Sequence, residues 1–452
     1  MNRFMFLLFW LSAGSALSQI PDSTYIKQHY EKLEVQIPMR DGVKLFTSVY
    51  VPKDKTRKYP FLMQRTCYSV APYGKDKYRR NLGPSRFLMR EGYIFVYQDV
   101  RGRWMSEGIF DNMTPNIPGN NPKNKTAIDE ASDTWDTIEW LLKNIANNNG
   151  RVGQWGISYP GFYTAAGIPD AHPALKASSP QAPISDFFFD DFHHNGALLQ
   201  SYIAAFAVFG YQKDKPTTEA WYNSEMARFR ESKVADGYDF NLSQGPLKNF
   251  TEKYHKDNFF WNQIVEHPNY DDFWQKRNLL PHLINVKHSV MTVGGWYDAE
   301  DLYGPLNIYK KIESSSKGAF NTLVMGPWSH GDWAREVGFQ AVNHIYFGDS
   351  ISTFYQREIE REFFNAILKD NRQPNLPEAL MFDCGLKEWK RFAEWPPKDI
   401  PPVKLYFGQK GKLSVNTPAQ AEAVFDYVSD PAKPVPYTSQ TEGLVFTPRR
   451  FM

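Results

Sequence analysis

Ser158 stands in Gly156-Ile157-Ser158-Tyr159-Pro160-Gly161, after a short apolar run and before a segment of helical texture. A strand-to-helix turn of this kind exposes the serine hydroxyl and sets it at a helix N-terminus, where developing negative charge is favoured. The strict G-x-S-x-G spacing is broken: Pro160 takes the second glycine's place and Gly161 follows one later. Proline is tolerated in a first helical turn. An ordinary strand-to-helix turn is the alternative reading. A serine also needs a base and an orienting acid. In such folds the chain order is Ser, acid, His. His330 lies in Gly326-Pro327-Trp328-Ser329-His330-Gly331, just past the apolar run Asn321–Met325. Asp298 follows another such run, Ser289–Val293, in Gly294-Gly295-Trp296-Tyr297-Asp298, with Glu300 and Asp301 as local competitors. Loops at the C-terminal ends of parallel strands are where such folds place functional groups.

The elements around these residues support that placement. Leu33–Pro38 and Val43–Val51 alternate around Arg40-Asp41-Gly42, the pattern of a hairpin. Tyr59–Gln64, Tyr93–Gln98 and Val152–Trp155 have buried-strand length. A helix is expected within Lys77–Glu91 and another over Asp129–Ile145, stopped by Asn147-Asn148-Asn149-Gly150. Alternating strands and helices imply a largely parallel sheet covered on both faces, hence an α/β class. Residues 186–284 lose the strand pattern, and we expect a helical cap there, emerging over the nucleophile. Phe187, Phe188, Phe192 and Trp274 are expected to wall its acyl pocket. Ile351–Leu368 reads as an amphipathic helix, and past Pro374 the chain becomes proline-rich and β-like, with strands expected at Leu405–Phe407 and Ala423–Tyr427.

At 452 residues the chain is too long for one ordinary domain, and 42% hydrophobic content supplies a large core. Lys plus Arg number 52 against 50 for Asp plus Glu, so the net charge of +2 argues against nucleic acid as a partner. The N-terminus has Arg3, an apolar run Phe4–Leu11 too short to span a bilayer, and small residues up to Ser18. That is a signal peptide pattern with cleavage before Gln19, which predicts a periplasmic or secreted protein with no membrane contact after processing. No cysteine stands at the cleavage site to carry a lipid, and nothing later is apolar enough to span a membrane. Cys67 and Cys384 are not expected to pair. No CxxC or HExxH spacing occurs, and the neighbours His193 and His194 are poorly placed to ligate one metal together, so no metal or other cofactor is expected.

The sequence resembles the X-Pro dipeptidyl-peptidase-like hydrolases, a group that includes cocaine esterase, α-amino-acid ester hydrolases and glutaryl-cephalosporin acylases. The residues that carry the resemblance are Met39-Arg40-Asp41-Gly42-Val43, Asp99-Val100-Arg101-Gly102-Arg103, Asn149-Gly150-Arg151-Val152-Gly153, the elbow, Gly295-Trp296-Tyr297-Asp298 and Gly326-Pro327-Trp328-Ser329-His330-Gly331. The resemblance implies an α/β-hydrolase core and a Ser158, Asp298, His330 triad. It implies an oxyanion hole from the Tyr159 backbone N–H and the Tyr68 hydroxyl, the latter in Arg65-Thr66-Cys67-Tyr68, where the family pattern has proline for Cys67. A phenol can donate to an oxyanion, so that change leaves the chemistry intact. It also implies a C-terminal jelly-roll β-sandwich longer than the residues that remain, so the chain is expected to be a fragment. The ester-hydrolase subgroup holds a substrate ammonium with carboxylates; Asp190, Asp191, Glu266, Asp271 and Asp272 are the acidic candidates, without a one-to-one match.

The expected organisation is a signal peptide at 1–18, an α/β-hydrolase core at 19–185 and 285–374, a cap at 186–284 and a partial β-sandwich at 375–452. The expected chemistry is hydrolysis of an ester or amide through an acyl-enzyme on Ser158, acting on a small molecule or short peptide. Two readings compete with it: an X-Pro dipeptidyl peptidase, and a non-catalytic binding module on the same scaffold. The sequence leaves the oligomeric state open, a homo-oligomer included.

Overall fold

Runs such as Ile94–Asp99 and Asn321–Gly326 are buried along their whole length, the signature of strands covered on both faces. The computed structural model describes residues 22–119, 124–199, 203–222, 236–335, 339–342, 344–419, 424 and 426–436. The signal-peptide expectation and part of the expected strand Ala423–Tyr427 lie outside them.

Ten strands form one sheet: β1 (Tyr30–Pro38), β2 (Lys44–Pro52), β3 (Tyr59–Thr66), β4 (Ile94–Asp99), β5 (Asn148–Ser158), β6 (Leu175–Pro183), β7 (Ser289–Gly295), β8 (Asn321–Gly326), β9 (Ala379–Asp383) and β10 (Glu388–Phe392). Their spatial order is β1-β2-β4-β3-β5-β6-β7-β8-β9-β10. Neighbours are parallel from β4 through β9, with antiparallel β1 and β2 at one edge and β10 at the other. The β1–β2 hairpin turns at Arg40-Asp41-Gly42, as its sequence requires, with Pro38 opposite Lys44. Two strands beyond residue 374, where the sequence reading starts the β-sandwich, instead extend the core sheet: β9 pairs with β8, and β10 folds back on β9. Ala379, Leu380, Met381 and Phe382 are buried, and that apolar run makes β9 a sheet interior rather than a sandwich edge.

Helix α1 (Glu130–Asn144) starts at Asp129, whose side chain accepts from the Ser132 N–H while Ser132 returns a bond to the Asp129 N–H. Its Ile138 and Leu141 join Leu45, Val49, Phe61, Met63, Ile94 and Val96 in one core face. Each such buried aliphatic side chain contributes roughly 1.5–3 kcal/mol. Helix α2 (Tyr159–Ala166) follows β5 directly, and α3 (Tyr303–Ser315) links β7 to β8. The helix expected within Lys77–Glu91 shrinks to Arg86–Met89. Gly83, at φ +72, precedes Pro84 and breaks the run. The preceding loop is pinned by the buried Lys32 ammonium, which donates to the carbonyls of Pro72, Gly74 and Lys77.

The segment between β6 and β7 is largely helical, as expected. Its core is aromatic. Phe187 meets Phe192 at 4.8 Å between centroids, and Phe188 meets Trp274 at 5.4 Å. These four residues are 1–7% exposed and form a packed aromatic interior, with Phe187 also meeting Tyr159 at 5.7 Å. Residues 351–370 form the expected helical run, alternating α- and π-type turns. Past residue 400 the described residues carry one short hairpin, Tyr406–Phe407 with Leu413–Ser414. Among the described residues no helix is long and apolar enough to cross a membrane.

Candidate active site

Ser158 ends β5 and precedes α2 with φ +67 and ψ −129°, a left-handed conformation that costs a residue with a Cβ. The turn closes only because its flanks are glycines. A Cβ on Gly156 would lie 2.2 Å from the Pro160 carbonyl oxygen, and one on Gly161 would lie 2.6 Å from that of Gln181. The sequence therefore enforces the elbow, and the elbow presents Ser158 at the C-terminal end of the sheet.

The acid and base loops leave the next strands and are zipped together. Tyr297 N–H donates to the Trp328 carbonyl at 3.0 Å and Trp296 N–H to that of Gly326 at 2.9 Å. At Gly295 a Cβ would stand 2.2 Å from the Trp328 oxygen, so only glycine allows this approach. Asp298 is buried and divides its carboxylate: Oδ1 accepts the N–H groups of Glu300 and Asp301, and Oδ2 accepts from His330 Nδ1 at 2.8 Å. The base loop is braced from behind. Ser352 Oγ donates to the Asp332 carbonyl and Gln356 Nε2 to that of Trp333, while Trp333 Nε1 donates to Gln181 Oε1, whose amide donates to the buried Glu360. Ser352, Gln356 and Glu360 are spaced by four, one face of the helical run.

A Cβ on Gly331 would lie 3.6 Å from Ile157 Cγ2, which brings the base loop against the elbow. The Asp298–His330 half of the expected triad is thus formed. Among the described residues Ser158 makes no direct hydrogen bond to His330. The Nε2 atom faces Glu300 Oε2 instead, at 3.4 Å. Burial alone would push the His330 imidazole down; Asp298, then Glu300 and Asp191, outweigh it and lift the pKa to about 9. The Asp298 carboxylate is correspondingly low: its burial would raise it, but His330 and the two backbone N–H groups prevail.

Asp191 completes a carboxylate cluster with Glu300 and Asp301. Both oxygens of Asp301 and Oδ2 of Asp191 are buried without a hydrogen-bond partner among the described residues. Desolvation, and then the neighbouring carboxylates, hold both acids well above the ordinary range. Asp190, by contrast, is fully used: it accepts from Ser185, Asp186 and Gly304 and ties the helical segment to α3. Of the other acidic candidates, Asp271 N-caps its own helix and pairs with His267, and Glu266 and Asp272 are exposed. Glu300, Asp301 and His330 could also chelate a cation, their donor atoms lying within 4.8 Å of one another. The sequence reading saw Glu300 and Asp301 only as competitors of Asp298. The signal available was their spacing after Asp298; their meeting with Asp191 depends on how the helical segment folds back.

Tyr68 is 43% exposed and lies edge-on to Tyr159 at 6.5 Å between centroids. Its phenol is held well above its ordinary pKa, by desolvation first and then by charges including Glu300 and Asp191, and stays a donor. The Tyr159 side chain is spent elsewhere, accepting from the Met113 N–H and donating to Asn112. Phe187 and Phe209 reach Tyr159 at 5.7 and 5.2 Å, so the helical segment covers the elbow. Cys67 and Cys384 are free thiols, and burial pushes the Cys67 thiol up to about 12.

Residues 41–332 match the family described as X-Pro dipeptidyl-peptidase (S15 family). The chain is 26% identical over 426 residues to cocaine esterase from Rhodococcus sp. (strain MB1 Bresler), covering 89% of this chain and 68% of that protein. Among solved structures it is similar to an aminopeptidase from the marine sediment archaeon Thaumarchaeota archaeon (31% identity, TM-score 0.80) and to an α-amino acid ester hydrolase (31% identity, TM-score 0.79). Each covers 96% of this chain, and the chain spans 70% of each. With the match running across the sheet, the elbow and both loops, the chain belongs to the X-Pro dipeptidyl-peptidase (S15) family of serine hydrolases.

Proposed function

We propose that this enzyme hydrolyses esters or amides of amino acids that carry a free α-amino group. The observation that carries the reading is the Asp191, Glu300 and Asp301 cluster beside His330, in which Asp191 Oδ2 and both Asp301 oxygens are buried without a hydrogen-bond partner among the described residues. Burial without partners favours the neutral acid at Asp191 and Asp301, and a substrate ammonium would supply the charge and donors that favour the ionised carboxylates instead. The similar α-amino acid ester hydrolase and aminopeptidase both bear names that fit such a substrate.

In this reading Ser158 Oγ attacks the carbonyl while His330 Nε2 takes its proton. Asp298 holds the Nδ1–H and stabilises the imidazolium. The Tyr68 hydroxyl and the Tyr159 N–H receive the oxyanion. His330 then returns the proton to the leaving group, and water releases the acyl-enzyme by the reverse roles. An ammonium that engages Glu300 also draws that carboxylate from Nε2, freeing the nitrogen for Ser158. The test compares kcat/KM for an amino-acid methyl ester with that for its N-acetylated counterpart. A preference of at least tenfold for the free amine is expected, and equal rates would overturn the reading. A rate that depends on added divalent metal would assign the cluster to a cation instead.

Residues 186–284 act as the cap in this scheme, and residues 1–18 direct export. The mature protein should then begin at Gln19 by mass spectrometry; an intact Met1 in exported material would refute it.

A further inference from the structure

Tyr68 sits in a loop with no regular secondary structure. The loop is anchored by the Tyr68 N–H on Thr66 Oγ1, by the Val70 N–H on Asp99 and, next to Tyr68, by the carbonyl of Cys67. Two side chains converge on that oxygen: Arg103 Nε donates at 3.2 Å and Trp104 Nε1 at 2.9 Å. Both follow β4, at the end of the Asp99-Val100-Arg101-Gly102-Arg103 motif, to which the mechanism above gives no role.

Each residue is held at a cost. Arg103 is fully buried, makes no ion pair among the described residues, and leaves Nη1 without a hydrogen-bond partner. Its guanidinium lies instead 4.4 Å from the Trp221 ring centroid and 4.8 Å from that of Phe110. Trp104 is buried with φ +46, a left-handed conformation that persists for a bulky residue only where the surroundings over-determine it.

Both residues also grip the helical segment. Arg103 Nη2 donates to the Val208 carbonyl at 3.0 Å, and the Trp104 carbonyl accepts from the Thr217 N–H at 3.0 Å. The Trp104 ring meets Trp221 at 5.5 Å. Phe209, next to Val208, touches the Tyr68 ring at 5.8 Å and the Tyr159 ring at 5.2 Å.

We propose that Arg103 and Trp104 are positioning residues for the oxyanion site: by holding the Cys67 carbonyl they aim the Tyr68 hydroxyl, and by gripping Val208 and Thr217 they tie that aim to the docked helical segment. The inference rests on the reading of Tyr68 as an oxyanion donor. A buried cation that makes no ion pair among the described residues and a strained tryptophan are poor choices for stability alone; behind a donor that must be aimed to a fraction of an ångström they have a use.

The experiment is a double-mutant cycle with p-nitrophenyl acetate, which has no amine and so does not depend on the carboxylate cluster. Tyr68→Phe should lower kcat about 100-fold. Arg103→Met and Trp104→Phe should each lower kcat roughly 5- to 50-fold with KM within about twofold, because an oxyanion donor acts in the transition state. In the Tyr68→Phe background each should cost less than about twofold, since the donor they aim is gone. Deficits that persist in full there, or that fall on KM alone, overturn the positioning role and leave the Tyr68 reading intact. An unchanged kcat for Tyr68→Phe removes both. Should Arg103→Met not fold, Trp104→Phe decides, since it keeps an aromatic ring while losing the indole N–H.

Discussion

Two parts of this molecule treat apolar and charged groups in opposite ways. The loops after β7 and β8 bury Asp298, Asp301, Trp328 and Trp333 and lock them together through backbone hydrogen bonds. The residues after Ile400 leave Phe407, Tyr427, Val428 and Val435 between 83% and 92% exposed, and Tyr238 Oη donating to the Pro434 carbonyl is a contact back to the helical segment. The first region concentrates unfavourable features, namely buried carboxylate oxygens without a hydrogen-bond partner among the described residues and left-handed backbone at Ser158, and can hold them because the parallel sheet beneath is covered on both faces. The second carries ordinary apolar residues that, among the described residues, stay largely exposed. Strain and charge are therefore lodged where the packing is best, which is where reactive groups gain most from fixed dipoles.

The contrast is broken most directly at the nucleophile. Ser158→Ala should remove on the order of 10⁴- to 10⁶-fold in kcat with the fold intact, and Asp298→Asn about 10⁴-fold. Steady-state rates with circular dichroism as a fold control check both, and wild-type turnover by Ser158→Ala would discard the elbow assignment. Next in size is the aromatic interior above the site. Trp274→Ala should cost about 3–5 kcal/mol in urea unfolding, and a loss below about 1 kcal/mol would mean that this interior collapses around the gap.

The pH dependence sharpens the electrostatic side. In the proposed mechanism His330 acts as base in its neutral form, and its pKa is raised to about 9. The activity of the free enzyme toward an ester without an amine should therefore climb from neutral pH to about 9. Glu300→Gln should move that limb down by about one unit while weakening turnover of amino-acid esters. An acid limb near 6.5 in the wild type would contradict the field described at this site. The same shift bears on stability: raised in the folded state, the His330 pKa favours folding fully below its ordinary value near 6.5, and that contribution is lost as the pH rises through about 9.

The smallest effects belong to the tail. A chain ending at Asp399 should keep its melting temperature within about 2 °C and its kcat/KM within about twofold, and should aggregate less, because exposed apolar residues go with the deleted segment. Phe407→Ser should stay within about 0.5 kcal/mol of wild type. A large loss in either would show that the tail contributes to the hydrolase core.

By itself the sequence determined the elbow, because glycines at 156 and 161 and a proline at 160 permit few other ways of joining an apolar strand to a helix. It likewise determined the parallel sheet, through short apolar runs alternating with helical ones, and the placement of Asp298 and His330 just past two of them. It misplaced the helix before β4, where Gly83-Pro84 and the reach of Lys32 outweigh local propensity, and it ended the core sheet early, because proline-rich spacing hid β9 and β10. Only the tertiary structure decided which carboxylates meet. Asp191 lies more than a hundred residues before Glu300 and Asp301, and no periodicity links them. Their convergence follows from how an aromatic-cored segment folds back over the strand ends, and it adds to the charge that Asp298 already places on His330.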